Sequence, residues 1–231
     1  MKRKIGVIGD GFVGSQVIRW FGGKPSVPWY SKTGGSFEAV DNCDIVFLCL
    51  PTPYDPQCGF ELTALVENIK RLSPGKIIMI KSTVLPGTTK QFARQYPKQR
   101  FLFNPEFLRA RTARQDFFNP DRQIIGVPDR RHKVTAGQVM DILPHAEFNI
   151  ICDSNVAEMA KLVGNCYLAM RVVFANQMYD YCQQNKTDYK ETIKIVKHDP
   201  RIGISHWDVN ADGYRGYSGY CFPKEDRKSV V

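Results

Sequence analysis

The sequence predicts an α/β fold, with a doubly wound parallel sheet followed by a small all-helical domain with a long central helix. Three observations carry this. Short apolar runs alternate with helical patterns through the first half of the 231 residues. The runs are almost continuously apolar, as strands covered on both faces are. From about Asp153 the alternation stops, and one helical pattern continues to about Gln184.

In order, Ile5 to Ile8 is a short buried strand and Val13 to Phe21 a helix. Val27 to Ser31 is a weaker second strand. Asp44 to Leu50 is a strong third one, ended by Pro51-Thr52-Pro53. Leu62 to Leu72 is helical until Ser73-Pro74-Gly75 breaks it. Lys76 to Lys81, Phe101 to Phe103 and Gln123 to Val127 complete the strands. Asn155-x-x-Glu158 reads as a capping box opening the long helix. No further strand is expected, so the boundary falls near residue 150: residues 1–150 form one domain and 151–231 the helical one.

At 43% hydrophobic and 24% charged residues, the chain is an ordinary globular protein rather than a disordered one. The net charge of +9 suits anionic partners without choosing among them. The basic run Asp129 to Lys133 reads as a solvated loop, and a nucleic-acid partner is not expected. The apolar stretch Val156 to Met178 is interrupted by Glu158, Lys161, Asn165 and Arg171, which argues against a membrane partner. Seven cysteines include no C-x-x-C pair and no zinc spacing, so no metal site is expected. The odd count and the lack of a signal peptide suit a reducing cytoplasm. Cys49 and Cys152 read as buried spacers.

Gly9-Asp10-Gly11-Phe12-Val13-Gly14 is G-x-G-x-x-G, placed after a strand and at the start of a helix. Gly9 permits the tight turn, Gly11 a pyrophosphate's approach, and Gly14 close packing of helix on strand. The helix N-terminus offers free N–H groups to phosphate. The first domain is therefore expected to be a Rossmann-like dinucleotide-binding domain. The acid that would hold the adenosine ribose is missing from the second strand end, where Ser31 and Lys32 stand instead. Contact of Ser31 and Lys32 with a 2′-phosphate would suit NADP, and a hydrogen bond from Ser31 to the ribose would suit NAD; NAD is preferred and NADP stays open.

Six segments then share an order and spacing: GVIGDGFVG, FLCLPTP, KSTVLPGTT, FNPEFLRARTA, AEMAKLVGNCYLA and GYSGYCFPK. Together they resemble the nucleotide-sugar 6-dehydrogenases, the family of UDP-glucose and GDP-mannose dehydrogenases, over nearly the whole chain. The resemblance implies NAD-dependent oxidation of the C6 alcohol of a nucleotide-linked hexose to a carboxylate, through a cysteine thiohemiacetal and thioester. Cys221 takes the nucleophile's place, where a thiolate is the active form. Lys161 and Asn165, four apart on one helix face, match the donors that stabilise the C6 alkoxide. Thr83 matches a threonine near the cofactor and a catalytic water. Glu106, Phe107 and Leu108 match the substrate segment, with Gly219 in the cysteine loop. Pro51 and Thr52 match the nicotinamide side of the cofactor site, with Phe12 and Val13 in the glycine loop. Arg201 resembles the segment before the cysteine loop and receives no role.

Four departures stand beside the resemblance. Ala110 occupies the place of a carboxylate linked to general-base work in thioester hydrolysis. Glu225 replaces an aspartate after the cysteine. Ser218 replaces a loop glycine. The chain stops at Val231, where longer members continue into a domain that binds the substrate's nucleotide. A short form, a fragment or a decayed copy all fit that last feature. The alternatives to an active dehydrogenase are a dinucleotide-binding homologue with lost catalysis and a dehydrogenase of small hydroxy acids. Val156, Met159, Leu162, Val163, Leu168, Val172 and Phe174 give the long helix an apolar face, which implies a homodimer across it.

Overall fold

The computed structural model describes residues 3–57, 59–210, 213, 215 and 216. The chain divides into two compact units, Met1–Lys161 and Leu162–Val231.

In the first unit the elements are β1 (Ile5–Ile8), α1 (Gly14–Trp20), β2 (Trp29–Ser31), β3 (Gly34–Gly35), α2 (Phe37–Asp41) and β4 (Ile45–Leu48). The hairpin β5 (Tyr54–Asp55) and β6 (Gly59–Phe60) follows, then α3 (Thr63–Arg71), β7 (Ile77–Ile80), α4 (Thr88–Gln95) and β8 (Arg100–Phe103). Next come α5 (Ala113–Phe118), β9 (Arg122–Val127), α6 (Lys133–Met140), β10 (Phe148–Asp153) and the start of α7 (Ser154–Gln184).

The main sheet has eight strands in the order β10-β9-β8-β7-β4-β1-β2-β3. β2, β1, β4, β7 and β8 run parallel. Because side chains alternate across a strand, each apolar run feeds two cores. Val7, Phe47, Met79 and Leu102 pack on one face with Val17 of α1, Phe117 of α5 and Val139 of α6. Ile8, Val46, Ile78 and Phe101 pack on the other with Val40 of α2, Leu65 of α3 and Phe92 of α4. Burial on both faces is why these strands are legible as unbroken apolar runs.

Several expectations are corrected. The sheet is not parallel throughout: β9 runs antiparallel to β8, and β10 follows β9 in parallel. β10 itself lies at the proposed boundary, where no strand was expected. It is an edge strand with Phe148 and Ile150 exposed, so its sequence lacks a buried run. Asp129 to Lys133 is not a loop but a 3-10 turn over Arg130–His132 leading into α6, with the Asp129 side chain accepting from Arg131 N. Cys49 and Cys152 are half-buried rather than buried.

The second unit holds the rest of α7 and α8 (Tyr189–Val196). Its core joins Ala175 and Cys182 of α7 to Tyr189 and Ile193 of α8 and to Trp207. The Tyr189 hydroxyl donates to the Trp207 carbonyl at 2.8 Å, satisfying a polar group that burial would otherwise penalise. On α7, Val172 is buried, while Val163, Tyr167, Met170 and Phe174 are exposed. The apolar stripe therefore includes Tyr167 and Met170, and Val172 lies off it.

Candidate functional site

The glycine loop crosses the end of β1. Gly9 has φ +95°, and a Cβ there would lie 2.3 Å from the Cys49 carbonyl oxygen. A Cβ on Gly14 would lie 1.7 Å from the Gly9 carbonyl oxygen. Both glycines are thus imposed by backbone packing. Gly11 differs: a Cβ there would meet nothing within 4 Å. Its bareness is not needed by the fold, and it leaves the loop open to a ligand's close approach. Phe12 is half exposed, and Val13 precedes α1. The residues fit a dinucleotide pyrophosphate on these grounds.

Beside the end of β2, an acid comes from an unexpected place. Asp10, inside the loop, accepts from Lys24 Nζ at 2.8 Å, and Lys24 stands 3.7 Å from the Trp29 ring centroid. Hydrogen bonds from Lys24 and Ser31 hold the Asp10 carboxyl below its usual value. Ser31 also meets Thr33 Oγ1 at 2.8 Å, and Lys32 is exposed. The sequence signal for Asp10 was present, but it was spent on the glycine pattern.

At the ends of β4 and β7 the loops are tied together. Buried Thr52 donates to the Thr83 carbonyl at 2.7 Å. Ser82 Oγ accepts from Leu50 N at 3.0 Å and donates to Leu50 O at 2.6 Å. Pro51 is exposed beside them. The structure therefore brings Thr52 and Thr83 together at the carboxyl ends of parallel strands, where open α/β sheets bind ligands.

At the end of β7 itself, Lys81 forms an ion pair with Oε1 of Glu106, which follows β8. It also donates to Asn104 Oδ1 at 2.5 Å. The Lys81 side chain is 1% exposed. Reading Lys81 as the last residue of a strand gave no hint of this. A small cleft is lined by Glu106, Phe107, Leu108, Phe117 and Arg122. The Phe107 ring centroid lies 3.8 Å from the Arg122 guanidinium carbon and 5.3 Å from Lys161 Nζ. Lys161 thus reaches the Glu106–Leu108 segment from α7, and it is buried. Asn165, one turn further along α7, is buried as well. Ala110 is exposed.

Glu158 does not close a capping box. Its carboxylate accepts from Gly87 N at 2.6 Å and from Thr89 N at 2.9 Å. The α7 start is instead met by Asp153 Oδ1, which accepts from Asn155 N at 2.9 Å. Cys221, Gly219, Ser218 and Glu225 lie outside the described residues. Among the described thiols, burial pushes Cys49 up to about 12 and raises Cys43 and Cys152. No group of His, Cys, Asp and Glu able to hold a metal ion occurs among the described residues. No described helix is long and apolar enough to cross a membrane.

Comparison with known proteins follows the same division of the chain. Residues 31–143 match the NAD binding domain of the UDP-glucose/GDP-mannose dehydrogenase family, and residues 155–229 match its central domain. UDP-glucose 6-dehydrogenase of Campylobacter jejuni is 35% identical over 199 residues, which is 84% of this chain and 50% of that protein. A putative UDP-glucose 6-dehydrogenase of Bacillus subtilis is 33% identical over 81% of this chain and 46% of its own. The UDP-glucose dehydrogenase structure from Pyrobaculum islandicum superposes with a TM-score of 0.83 at 25% identity, covering 97% of this chain and 62% of that one. The chain spans about half the length of the curated relatives it matches. With both family domains matched in order and the glycine loop, strand ends and long helix in place, the chain belongs to the UDP-glucose/GDP-mannose dehydrogenase family.

Proposed function

We propose that this chain carries out the NAD-dependent oxidation of the C6 alcohol of a nucleotide-linked hexose to the carboxylate. The observation that carries the reading is the approach of Lys161 to the Glu106–Phe107 segment at the carboxyl ends of the parallel strands. Residues 1–150 serve as the cofactor domain and 151–231 as the helical domain that supplies Lys161, Asn165 and Cys221.

NAD, when bound, supplies the hydride acceptor for each of two oxidations. The glycine loop takes its pyrophosphate at Gly11, and Thr52 and Thr83 line its nicotinamide side. Lys161 and Asn165 donate to the alkoxide as the first C–H bond breaks, where placed donors contribute most. The Cys221 thiolate adds to the resulting C6 aldehyde, giving a thiohemiacetal. Loss of a second hydride leaves the thioester. Water then adds to that carbonyl, the C–S bond breaks, and the carboxylate and thiol are released. With Ala110 in place of a carboxylate, Glu106 and Glu225 are the acids left to receive the water's proton.

The exposed stripe on α7 supports a homodimer formed through that helix. Ala110 favours one second reading, a homologue that binds dinucleotide and stalls before hydrolysis. Cofactor reduction against a panel of nucleotide sugars tests both, with Cys221→Ala as control and intact mass read in parallel. Steady turnover lost in the control supports oxidation to the acid. A persistent adduct on Cys221 without turnover supports the stalled homologue, and neither signal excludes both.

A further inference from the structure

Lys81 has a side chain that is 1% exposed at the end of β7, and an ammonium group so enclosed is costly unless fully paired. Its partners are Glu106 Oε1 and, at 2.5 Å, Asn104 Oδ1. Asn104 cannot turn away. Its Nδ2 donates to Gln123 Oε1 at 2.8 Å and to the Ile124 carbonyl at 2.7 Å. Gln123 in turn donates to the Pro144 carbonyl at 3.2 Å. The Phe117 ring lies 5.5 Å from the ammonium. A chain of side-chain hydrogen bonds thus runs beneath the cleft and ends on one oxygen of Glu106.

Stability alone is a weak reason for this arrangement. A buried ion pair is commonly no better for folding than apolar side chains of equal volume. What the arrangement does provide is direction. Glu106 is only 14% exposed at its side chain and follows Pro105 in a segment without regular structure. The next residue, Phe107, is the one Lys161 approaches.

We infer that Lys81 is a positioning residue: it fixes the Glu106 carboxylate in the orientation used against the substrate, acting through Glu106 and not on the substrate itself. The inference rests on the proposed reading of Glu106 as a substrate-site residue. It assigns the KST segment a second part, with Thr83 facing the cofactor and Lys81 governing the acid beneath the sugar.

The test is a double-mutant cycle of Lys81→Met and Glu106→Gln in the full chain, with Lys81→Arg as the conservative variant. Initial rates of cofactor reduction, nucleotide-sugar affinity, NAD affinity and melting temperature are read for each. Expected are losses of about 100-fold in kcat for each single change, as for a misplaced catalytic group. The double variant loses no more than Glu106→Gln alone, melts higher than it because no unpaired charge remains, and NAD affinity is unchanged throughout. Lys81→Arg recovers at least part of the rate. If the wild type binds a nucleotide sugar without turning it over, the same non-additivity is read on that affinity.

Losses that multiply in the double variant, or full function in Lys81→Met, overturn the role of Lys81 while leaving Glu106 at the site. Full function in Glu106→Gln overturns the reading of Glu106, and with it the inference. A wild type that neither binds nor oxidises any nucleotide sugar overturns both. Recovery of rate together with stability in the double variant assigns the pair to folding alone.

Discussion

Glu158 of α7 holds the first turn of α4 through Thr89, whose N–H and hydroxyl both donate to its Oε1, at 2.9 and 2.6 Å. The other oxygen takes the Gly87 N–H at 2.6 Å. Helix starts leave such N–H groups without partners, and here a second helix satisfies them. Glu158 is fully buried. Glu158→Ala leaves these donors orphaned and should cost about 3 kcal/mol, at roughly 1–3 kcal/mol per lost buried partner. Chemical denaturation measures it, and a loss below about 1 kcal/mol would contradict the account.

The same carboxyl predicts an inverted pH dependence. Burial raises it above the ordinary glutamate value, outweighing the hydrogen bonds that favour its ionised form. The folded state therefore binds a proton more readily than the unfolded one. Its contribution is most favourable at low pH and declines as pH rises from the ordinary glutamate value through the raised one. Subtracting the unfolding free energy of Glu158→Gln from that of the wild type should give a difference that falls with pH across this window. A difference that rises there would show that the hydrogen bonds dominate.

Two glycines of one motif should fail in different ways. Gly14→Ala forces a Cβ against the Gly9 carbonyl oxygen and should destabilise the first unit by several kcal/mol, on the order of 3 or more. Gly11→Ala meets nothing in the protein. It should leave the melting temperature unchanged and weaken NAD binding at least about tenfold by obstructing the pyrophosphate. Thermal melts and calorimetry distinguish the two, and equal NAD affinity in Gly11→Ala would remove the loop from the cofactor site.

Thiol labelling should sort the cysteines. Burial pushes the Cys49 thiol up to about 12, which leaves little of the reactive thiolate at pH 8. It should resist alkylation while the protein is folded, and Cys49→Ala should keep turnover. Cys221, as the proposed nucleophile, should label first, and NAD reduction should stop with it. Peptide mass mapping of the labelled sites checks the order.

The α7 stripe gives the fifth expectation. Val163, Tyr167, Met170 and Phe174 are each about half exposed or more and recur at helical spacing. Sedimentation at micromolar concentration should show a dimer, and Met170→Glu should shift it to monomer. A wild-type monomer would refute the dimer.

The sequence made legible whatever was signalled locally. Ile45 to Leu48 and Ile77 to Ile80 are buried at every position, so an apolar run was enough. Gly9, Gly11 and Gly14 carry their spacing in six residues. Lys81 and Glu158 were opaque for the opposite reason. Lys81 was read only as the last residue of a strand, and its partners Asn104 and Glu106 come from just beyond the following strand. Glu158 had the spacing of a capping box, while its donors lie 69 and 71 residues away. β10 was hidden because an edge strand buries too little to leave a continuous pattern.

The register of the last two strands sets where α7 begins. β9 runs antiparallel to β8 with Gly126 opposite Phe103, and β10 keeps pace with it, Asp153 beside Val127. Both strands therefore end level with the carboxyl end of β8. There Asp153 pairs with Lys90 of α4 at 2.7 Å. From that rim α7 presents Glu158 to α4 and Lys161 to Phe107 within about 10 Å of helix rise. Two peripheral strands thus act as a delivery route, setting a helix down beside the strand ends so that a lysine late in the unit joins the one β7 supplies.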